Sequence, residues 1–565
     1  MLKERYKTEY NQGVSNLFPD TGHILLTLFL TVTTENERGM LMNHIKIDLE
    51  RILSDIDRNI FGGYLELGCR DATFPNLDMG GSPDADKNVL RRDVRTSIER
   101  MNIPIIRFGG NFFSGYHWMD GVGPREKRPA RHDLAWDCTV PNNFGTNEFV
   151  RLCRSFNMEP YLNVNCGDGD MREAADWVEY CNGTGDSALA NMRREHGFKE
   201  PHKVKYWGIG NEVDGPWQIG FKTPREYTRA LTEFAKVMKW TDPSIKLIAS
   251  SVSFWEDHPF IQGAEWVERA QLMLEQAGDR IDYMAFHRYA HPNYGDPFET
   301  YMAFAASYDE HLTAYEGLIR AVSLERGIKH NIGIAVDEWG IIRTRAGLPG
   351  TAPINVNVDK HGFTHLADEK AIPFPRIPMI INLEDALVTA LHLNAFIRHA
   401  SSIRMANFTA TAEAWGINAD HPDKPVLLPT FFFPFELYNR TCGQLALDVL
   451  WYGETFAATY KNRAYKGIRT LDVAATLDES RKELVVYAVN QNKDEAMETT
   501  ITMTSGQFRG DVKVSVVNGP DIKVENTEEK PNQVETRESN LMVSGKSFTF
   551  IFEPHSVTAL VCAVS

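Results

Sequence analysis

The sequence predicts an α/β fold class: a (β/α)8 barrel of the TIM type with an appended all-β, jelly-roll-like sandwich. Three observations point there. At 565 residues the chain exceeds what one hydrophobic core usually holds, so two domains, one of them large, are expected. From about residue 58 to 408, short apolar or β-branched runs alternate with amphipathic stretches, the texture of repeated βα units. Beyond Phe431 that texture gives way to strand-like runs punctuated by turn residues, with no helical period.

Eight runs in the first region read as strands: Ile60–Glu66, Ile103–Phe108, Glu159–Val164, Val204–Gly210, Lys246–Ser250, Tyr283–His287, Ile332–Asp337 and Ile403–Asn407. Between the first two, Leu90, Val94, Ile98 and Met101 recur at helical spacing, with Asp84 or Asp86 as the N-cap. The second region supplies Leu471–Leu477, Glu483–Val489, Thr499–Met503, Lys513–Val517, Phe548–Phe552 and Val557–Val564, and His44–Leu49 adds a strand from the other end of the chain. The expected division is a poorly ordered extension over 1–40, strand contributed to the sandwich over 41–57, the barrel over 58–430 and the sandwich over 431–565. Ile24–Val32 is apolar but too short to span a bilayer. The proline-rich stretch Arg343–Ile381 lacks periodicity and reads as a functional loop.

Composition narrows the function classes. Hydrophobic residues at 43% and charged residues at 24% describe a globular chain rather than a disordered one. A net charge of −16 opposes nucleic acid as a partner, and a neutral substrate is expected instead. Seven cysteines without a C-x-x-C pair are expected to be reduced, buried thiols rather than a disulfide framework or a zinc ribbon. Neither a G-x-G-x-x-G unit nor a P-loop occurs, so a nucleotide-dependent enzyme is excluded and no cofactor is expected. No membrane partner is expected, and a homo-oligomer is compatible with the chain. Sequons at Asn182, Asn407 and Asn439 arise readily by chance, which leaves a cytoplasmic location ahead of a secreted one.

Two carboxylates stand out because each ends a predicted strand. The run Tyr206-Trp207-Gly208-Ile209-Gly210-Asn211-Glu212 leaves the fourth strand, and Ile334-Ala335-Val336-Asp337-Glu338-Trp339-Gly340 leaves the seventh. On a barrel both glutamates then reach one rim and face one cleft. A lone glutamate at a strand end is usually an ion pair or a cap; two at these strands suit retaining glycoside hydrolysis. There one carboxyl protonates the leaving oxygen and the other attacks the anomeric carbon, the pair standing roughly 5 Å apart. The acid keeps its proton through burial and the neighbouring anion. His287, in Phe286-His287-Arg288-Tyr289, has no second ligand at metal spacing, since His291 falls in a proline-containing loop. An orienting hydrogen bond to the two carboxylates is expected of it, and no metal.

The run Tyr206–Gly220 (YWGIGNEVDGPWQIG), the run Gly109–Pro129 (GGNFFSGYHWMDGVGPREKRP) and Asp337-Glu338-Trp339 resemble the family 51 α-L-arabinofuranosidases. The likeness extends over about residues 42–565, through Asn382-Leu383-Glu384-Asp385-Ala386-Leu387 and Pro434-Phe435-Glu436-Leu437-Tyr438. It implies Glu212 as general acid/base and Glu338 as nucleophile, with Asn211 on the sugar 2-hydroxyl, Glu66, Arg107 and Asn111 on the furanose hydroxyls, and Tyr289 beside the nucleophile. Trp118, Trp217 and Trp339 are each either a sugar platform or core, and Trp339 is taken as substrate-binding. The implied activity is exo-release of terminal α-L-arabinofuranosyl residues from arabinan- or arabinoxylan-type saccharides.

Three departures border the expected pocket. Arg107-Phe108-Gly109-Gly110-Asn111 is one residue shorter than the family's run and lacks its proline, Leu67 stands where a histidine is usual, and Ala410 lies where a glutamine is typical. The loop after the second strand is therefore expected to sit differently. The departures keep a β-D-galactofuranosidase, or a β-glucan- or xyloside-cleaving relative, as alternatives. An inactive carbohydrate-binding protein is the reading from another class, opposed by Glu212, Glu338 and Asn211.

Overall fold

The computed structural model describes residues 43–66, 90–135, 138–253, 255, 265–292, 295–342, 356–358, 364–366, 381–417 and 423–565. The expectations for 1–40, for Asp84 and Asp86, for Leu67 and for most of Arg343–Ile381 lie outside the described residues.

Eight parallel strands close the barrel: β2 (Gly62–Leu65), β3 (Ile105–Phe108), β4 (Glu159–Val164), β5 (Tyr206–Ile209), β6 (Lys246–Val252), β7 (Tyr283–Ala290), β8 (Gly333–Ile341) and β9 (Ile403–Phe408). They neighbour one another in sequence order and close through β9 against β2. All eight coincide with the predicted runs, because buried parallel strands are apolar and bounded by helical periodicity. Helix α1 (Arg92–Met101) buries Val94, Ile98 and Met101 as the spacing required. Its N-cap is Arg91, without a side-chain cap, so Leu90 precedes the helix. Helix α5 (Pro224–Thr241) follows β5 and shows why such segments start where they do. The Thr223 hydroxyl accepts from the Glu226 amide, the Glu226 carboxylate accepts from the Thr223 amide at 2.9 Å, and Pro224 fills the first turn.

Inside the barrel an apolar plug forms from Ile105, Tyr161, Tyr206, Ile248, Ala285, Ala335 and Met405, one from each of seven strands. Two residues further along, on the same inward face, stand Arg107, Asn163, Gly208, Ser250, His287, Asp337 and Asn407. Strand alternation thus lays a polar layer directly over the plug at the C-terminal end, where (β/α)8 enzymes keep their chemistry.

The sandwich is one nine-stranded sheet: β15 (Glu535–Gly545), β14 (Phe508–Asn518), β17 (Val557–Val564), β12 (Glu483–Asn490), β11 (Leu471–Asp478), β10 (Leu445–Tyr452), β1 (Asn43–Asp55), β13 (Met497–Met503) and β16 (Ser547–Phe552), in that spatial order. Its outermost strands, β15 and β16, are joined through Lys546 alone, so the sheet must curl until its edges meet. The two layers close on Ile45, Ile47, Val473, Val486, Ile501, Val514 and Leu560. The reading of everything beyond Phe431 as strand needs one correction. Phe432–Thr441 is a helix, α9, buried along Phe432–Phe435 and Leu437–Asn439, because it packs on the barrel and on helix α8 (Leu383–Arg398) as well as the sandwich. Tertiary packing on several sides erased the periodic signal.

Helix α8 (Leu383–Arg398) is the joint. Every residue from Leu383 to Ile397 is buried, and the Leu383 and Glu384 amides at its N-terminus donate to Val524 and Ile522 carbonyls of the sandwich. Asn394 and Arg398 both donate to Asp472 on β11, at 2.7 and 2.9 Å. The thiol expectation also needs correction: Cys153, Cys166, Cys181, Cys442 and Cys562 are free, but Cys138 is disulfide-bonded, a pairing that sequence spacing did not encode. Among the described residues no helix is long and apolar enough to cross a membrane.

Candidate active site

Two backbone irregularities aim the glutamates. Between Val336 and Glu338, strand β8 carries one residue more than the facing stretch of either neighbour: Ala335 to Glu338 spans Ala285 to His287 on β7, and Val336 to Trp339 spans Ala406 to Phe408 on β9. Such a bulge resets the alternation. Asp337 faces inward in phase with Ala335, and Glu338, the next residue, faces inward as well. Glu212 lies beyond β5 with φ of +44°, a left-handed conformation uncommon for a side-chain-bearing residue and frequent at functional sites.

The imidazole of His287 joins the two carboxylates. Its Nδ1 lies 3.0 Å from Glu212 Oε1 and 3.6 Å from Glu338 Oε2, and its Nε2 lies 3.1 Å from Asp337 Oδ1. Glu338 accepts from Arg107 at 2.7 Å and from the Tyr289 hydroxyl at 2.6 Å. Glu212 Oε2 accepts from the Trp217 indole at 2.8 Å. Arg107 also donates to Asn211 Oδ1 at 2.7 Å, and Asn211 donates to Asn111 Oδ1 at 3.2 Å. Glu66 accepts from the Phe112 amide at 3.0 Å and the Tyr64 hydroxyl at 2.9 Å. Glu212, Glu338, Arg107, Asn211 and His287 are all buried.

The loop after β3 is built on Gly109 and Gly110. A Cβ at Gly109 would stand 2.9 Å from Arg107 Cζ, and Gly110, at φ of +98°, would drive one to 2.2 Å from the Tyr64 hydroxyl and 2.4 Å from Glu66 Cδ. Glycine there lets the loop close over Arg107 and Glu66.

Electrostatics divide the carboxyls. Burial, reinforced by the Glu338 anion, raises the Glu212 carboxyl above its ordinary value, against the donors His287 and Trp217. Asp337 is held below its ordinary range: burial opposes ionisation, but Arg107 and His287 beside it prevail. His287 lies well above its usual value because Glu338, Asp337 and its hydrogen bonds outweigh the burial that disfavours its charge. Glu212, His287 and Glu338 offer ligand-type atoms all within 4.8 Å of one another. A cation there would have to displace Arg107 and Tyr289 from Glu338 and the imidazole's own bonds, so the trio suits proton transfer better.

Against this geometry the comparisons with known proteins are consistent. Residues 97–315 match the α-L-arabinofuranosidase 1 domain and residues 337–556 the α-L-arabinofuranosidase C-terminal domain. The chain is 32% identical to the intracellular exo-α-(1→5)-L-arabinofuranosidase 1 of Bacillus subtilis, over 90% of this chain and 97% of that one. It belongs to the family 51 α-L-arabinofuranosidases. It is also 32% identical to α-L-arabinofuranosidase C of Emericella nidulans, covering 95% of this chain and 99% of the other. Among solved structures, the thermostable GH51 α-L-arabinofuranosidase of Thermotoga petrophila superposes with a TM-score of 0.77 at 30% identity, over 92% of this chain and 99% of that one. The α-L-arabinofuranosidase of Thermotoga maritima, solved as its arabinose complex, gives 0.76 at 30% identity, over 93% and 100%. This family member is a glycosidase of terminal arabinofuranosyl residues.

The fold gathers eight of the nine sequence-predicted site residues: Glu66, Arg107, Asn111, Asn211, Glu212, His287, Tyr289 and Glu338. Trp339 is the exception and a correction. Its ring has no exposed surface and packs against His392, Phe396 and Phe408, at centroid distances of 5.1, 5.1 and 4.8 Å. The bulge turns it outward from the barrel axis into the helical layer, so it cannot meet a sugar. Trp118 is likewise core, stacked on Trp177, whereas Trp217 is half-buried at the acid. Sequence reasoning missed Asp337, Tyr161 and Tyr64. The signal was available: Asp337 lies two residues beyond Ala335, Tyr161 belongs to the apolar plug itself, and Tyr64 lies two residues before Glu66.

Proposed function

We propose that this family 51 arabinofuranosidase works by double displacement, with Glu338 attacking the anomeric carbon and Glu212 first protonating the leaving oxygen, then activating water. The observation that carries the reading is the short separation across His287: carboxylate oxygens within 4.8 Å suit direct attack, whereas an inverting pair needs room for a water between them. The raised carboxyl of Glu212 suits a proton donor, and the hydrogen bonds from Arg107 and Tyr289 suit Glu338 as an aimed nucleophile. Asn211 is the partner for the sugar 2-hydroxyl, while Glu66 and Asn111 face the remaining furanose hydroxyls. The natural bonds are α-(1→5) links at the non-reducing ends of arabinan-type saccharides, a choice supported by the relatives' activity.

Substitution of each glutamate tests the roles. Glu338→Ala should fail on all substrates. Glu212→Ala should still be glycosylated by a dinitrophenyl arabinofuranoside, whose leaving group needs little protonation, and then stall. Azide should rescue both variants and yield glycosyl azides of opposite configuration; failed rescue would remove the assignment, and interchanged configurations would reverse it. A nitrophenyl glycoside panel should favour α-L-arabinofuranoside over β-D-galactofuranoside.

A further inference from the structure

Asp337 is the most deeply enclosed of the three carboxylates, at 2% exposure against 5% for Glu338 and 8% for Glu212. It lies behind the His287 ring and touches neither glutamate by hydrogen bond. Its Oδ1 faces His287 Nε2 at 3.1 Å, and its Oδ2 accepts from the Tyr161 hydroxyl at 2.7 Å and lies 3.3 Å from Arg107 Nε. We propose that Asp337 is a positioning residue for proton transfer: it keeps His287 protonated on both nitrogens, so that the ring donates to Glu212 and cannot capture the Glu212 proton. The inference rests on the reading of Glu212 as acid/base.

The charged groups facing His287 are Glu212 beyond β5 and Asp337 and Glu338 on β8, while Arg107 on β3 and Tyr161 on β4 bear on the ring through their contacts with Asp337. Three carboxylates within 3.6 Å of one imidazole favour the imidazolium, in line with its raised pKa. With Nδ1–H donating to Glu212 Oε1 and the Trp217 indole donating to Oε2, both oxygens of the acid already accept. The carboxyl proton then has no acceptor on His287 or Trp217 and is available to the leaving oxygen. Without the Asp337 charge the ring becomes neutral. Glu212 loses its nearest cation and holds its proton more tightly, and Nδ1 is free to accept it. Asp337 stands behind the ring, farther from Glu212 than the imidazolium, so loss of the imidazolium dominates. In the glycosyl-enzyme, the same imidazolium helps Glu212 stay ionised as a base.

The test is Asp337→Asn in the full chain. Both the alkaline limb of kcat/KM on an arabinofuranosyl disaccharide and the acid limb of kcat on a dinitrophenyl furanoside, where deglycosylation limits, should move up by about one pH unit. kcat on the disaccharide should fall about tenfold or more. His287→Gln should move the limbs the same way, and the double variant no further, because the two residues act in series. Tyr161→Phe, which keeps the charge, should leave them in place. A folded Asp337→Asn that loses rate with unmoved limbs, or a double variant that shifts further, overturns the proposal. Nitrogen NMR of the unmodified chain gives a readout independent of that variant's folding: both His287 ring nitrogens should be protonated at pH 7, and a neutral ring overturns the proposal. Failure of azide to rescue Glu212→Ala would remove the acid/base reading itself, whereas rescue with unmoved limbs would remove only the role of Asp337.

Discussion

Glu212 must hold a proton for one half of the reaction and release it for the other, and its surroundings pull both ways. Burial and the Glu338 anion raise it, while His287 and Trp217 stabilise its ionised form. The sign for activity follows. An acid raised in the folded enzyme stays protonated above its ordinary range, so activity that needs the proton persists there and is lost as pH rises through the raised value. The alkaline limb of kcat/KM on an unactivated saccharide should therefore belong to Glu212, and glycosylation of Glu212→Ala by a dinitrophenyl furanoside should lack it; an identical limb in the variant would contradict this. Trp339 gives a second prediction. As core, Trp339→Ala should cost about 3–5 kcal/mol in denaturant unfolding, whereas a sugar platform would raise KM and leave stability alone. Glu212 and Glu338 were legible because they end strongly patterned strands. Trp339 was misread because alternation is counted residue by residue, and the bulge after Val336 shifts the count by one without leaving a mark in composition.

Strands whose burial shows as a continuous apolar run were legible, whereas a strand exposed on both faces and a helix buried on every side were not. The eight barrel strands are continuous apolar runs, but β15 (ETRESNLMVSG) is exposed along most of its length, and its membership in the sheet comes from pairing with β14. Helix α9 failed for the opposite reason. At the C-terminus of α8, His399 lies 3.0 Å from Glu316 and 3.4 Å from Asp309, both on helix α7 (Phe298–Arg326), and Arg398 reaches Asp309 at 3.1 Å. Burial opposes its charge, yet the bonds to Asp309 and Glu316 push His399 up to about 9. A raised histidine contributes stability that is complete below its unfolded pKa, about 6.5, and is lost as pH rises through the folded value. Chemical denaturation should accordingly show stability declining between about pH 6.5 and the folded value near 9, and His399→Gln should flatten that decline; an unchanged slope would rule out the contribution.

On the scale of the whole molecule, one hydrophobic cluster runs from the barrel to one face of the sandwich, while the sandwich interior keeps a cluster of its own. The hydrophobic cluster that contains Ile334 and Phe408 of the barrel also contains Val485, Tyr487, Val557 and Ala559 of the sandwich, with α8 between them. Two separately stable bodies would instead meet through a smaller, more polar interface. Scanning calorimetry of the enzyme should give a single transition, and two resolved transitions would show that α8 does not join the two parts into one cooperative unit. The two-part architecture was legible from texture alone, but this continuity was not, since it depends on which surfaces of α8 and α9 find partners.

Strand β1 pairs antiparallel with β10 and parallel with β13, both of them far along the chain. During translation it emerges before the barrel and waits for roughly 400 further residues, on the order of 20–80 s at ordinary elongation rates. Throughout that interval Ile45 and Ile47, later fully enclosed, have no native cover while the barrel assembles behind them. Strands made only after the barrel thus sequester one made before it, and a nascent chain halted before Leu445 carries β1 unpaired, with Ile45 and Ile47 uncovered.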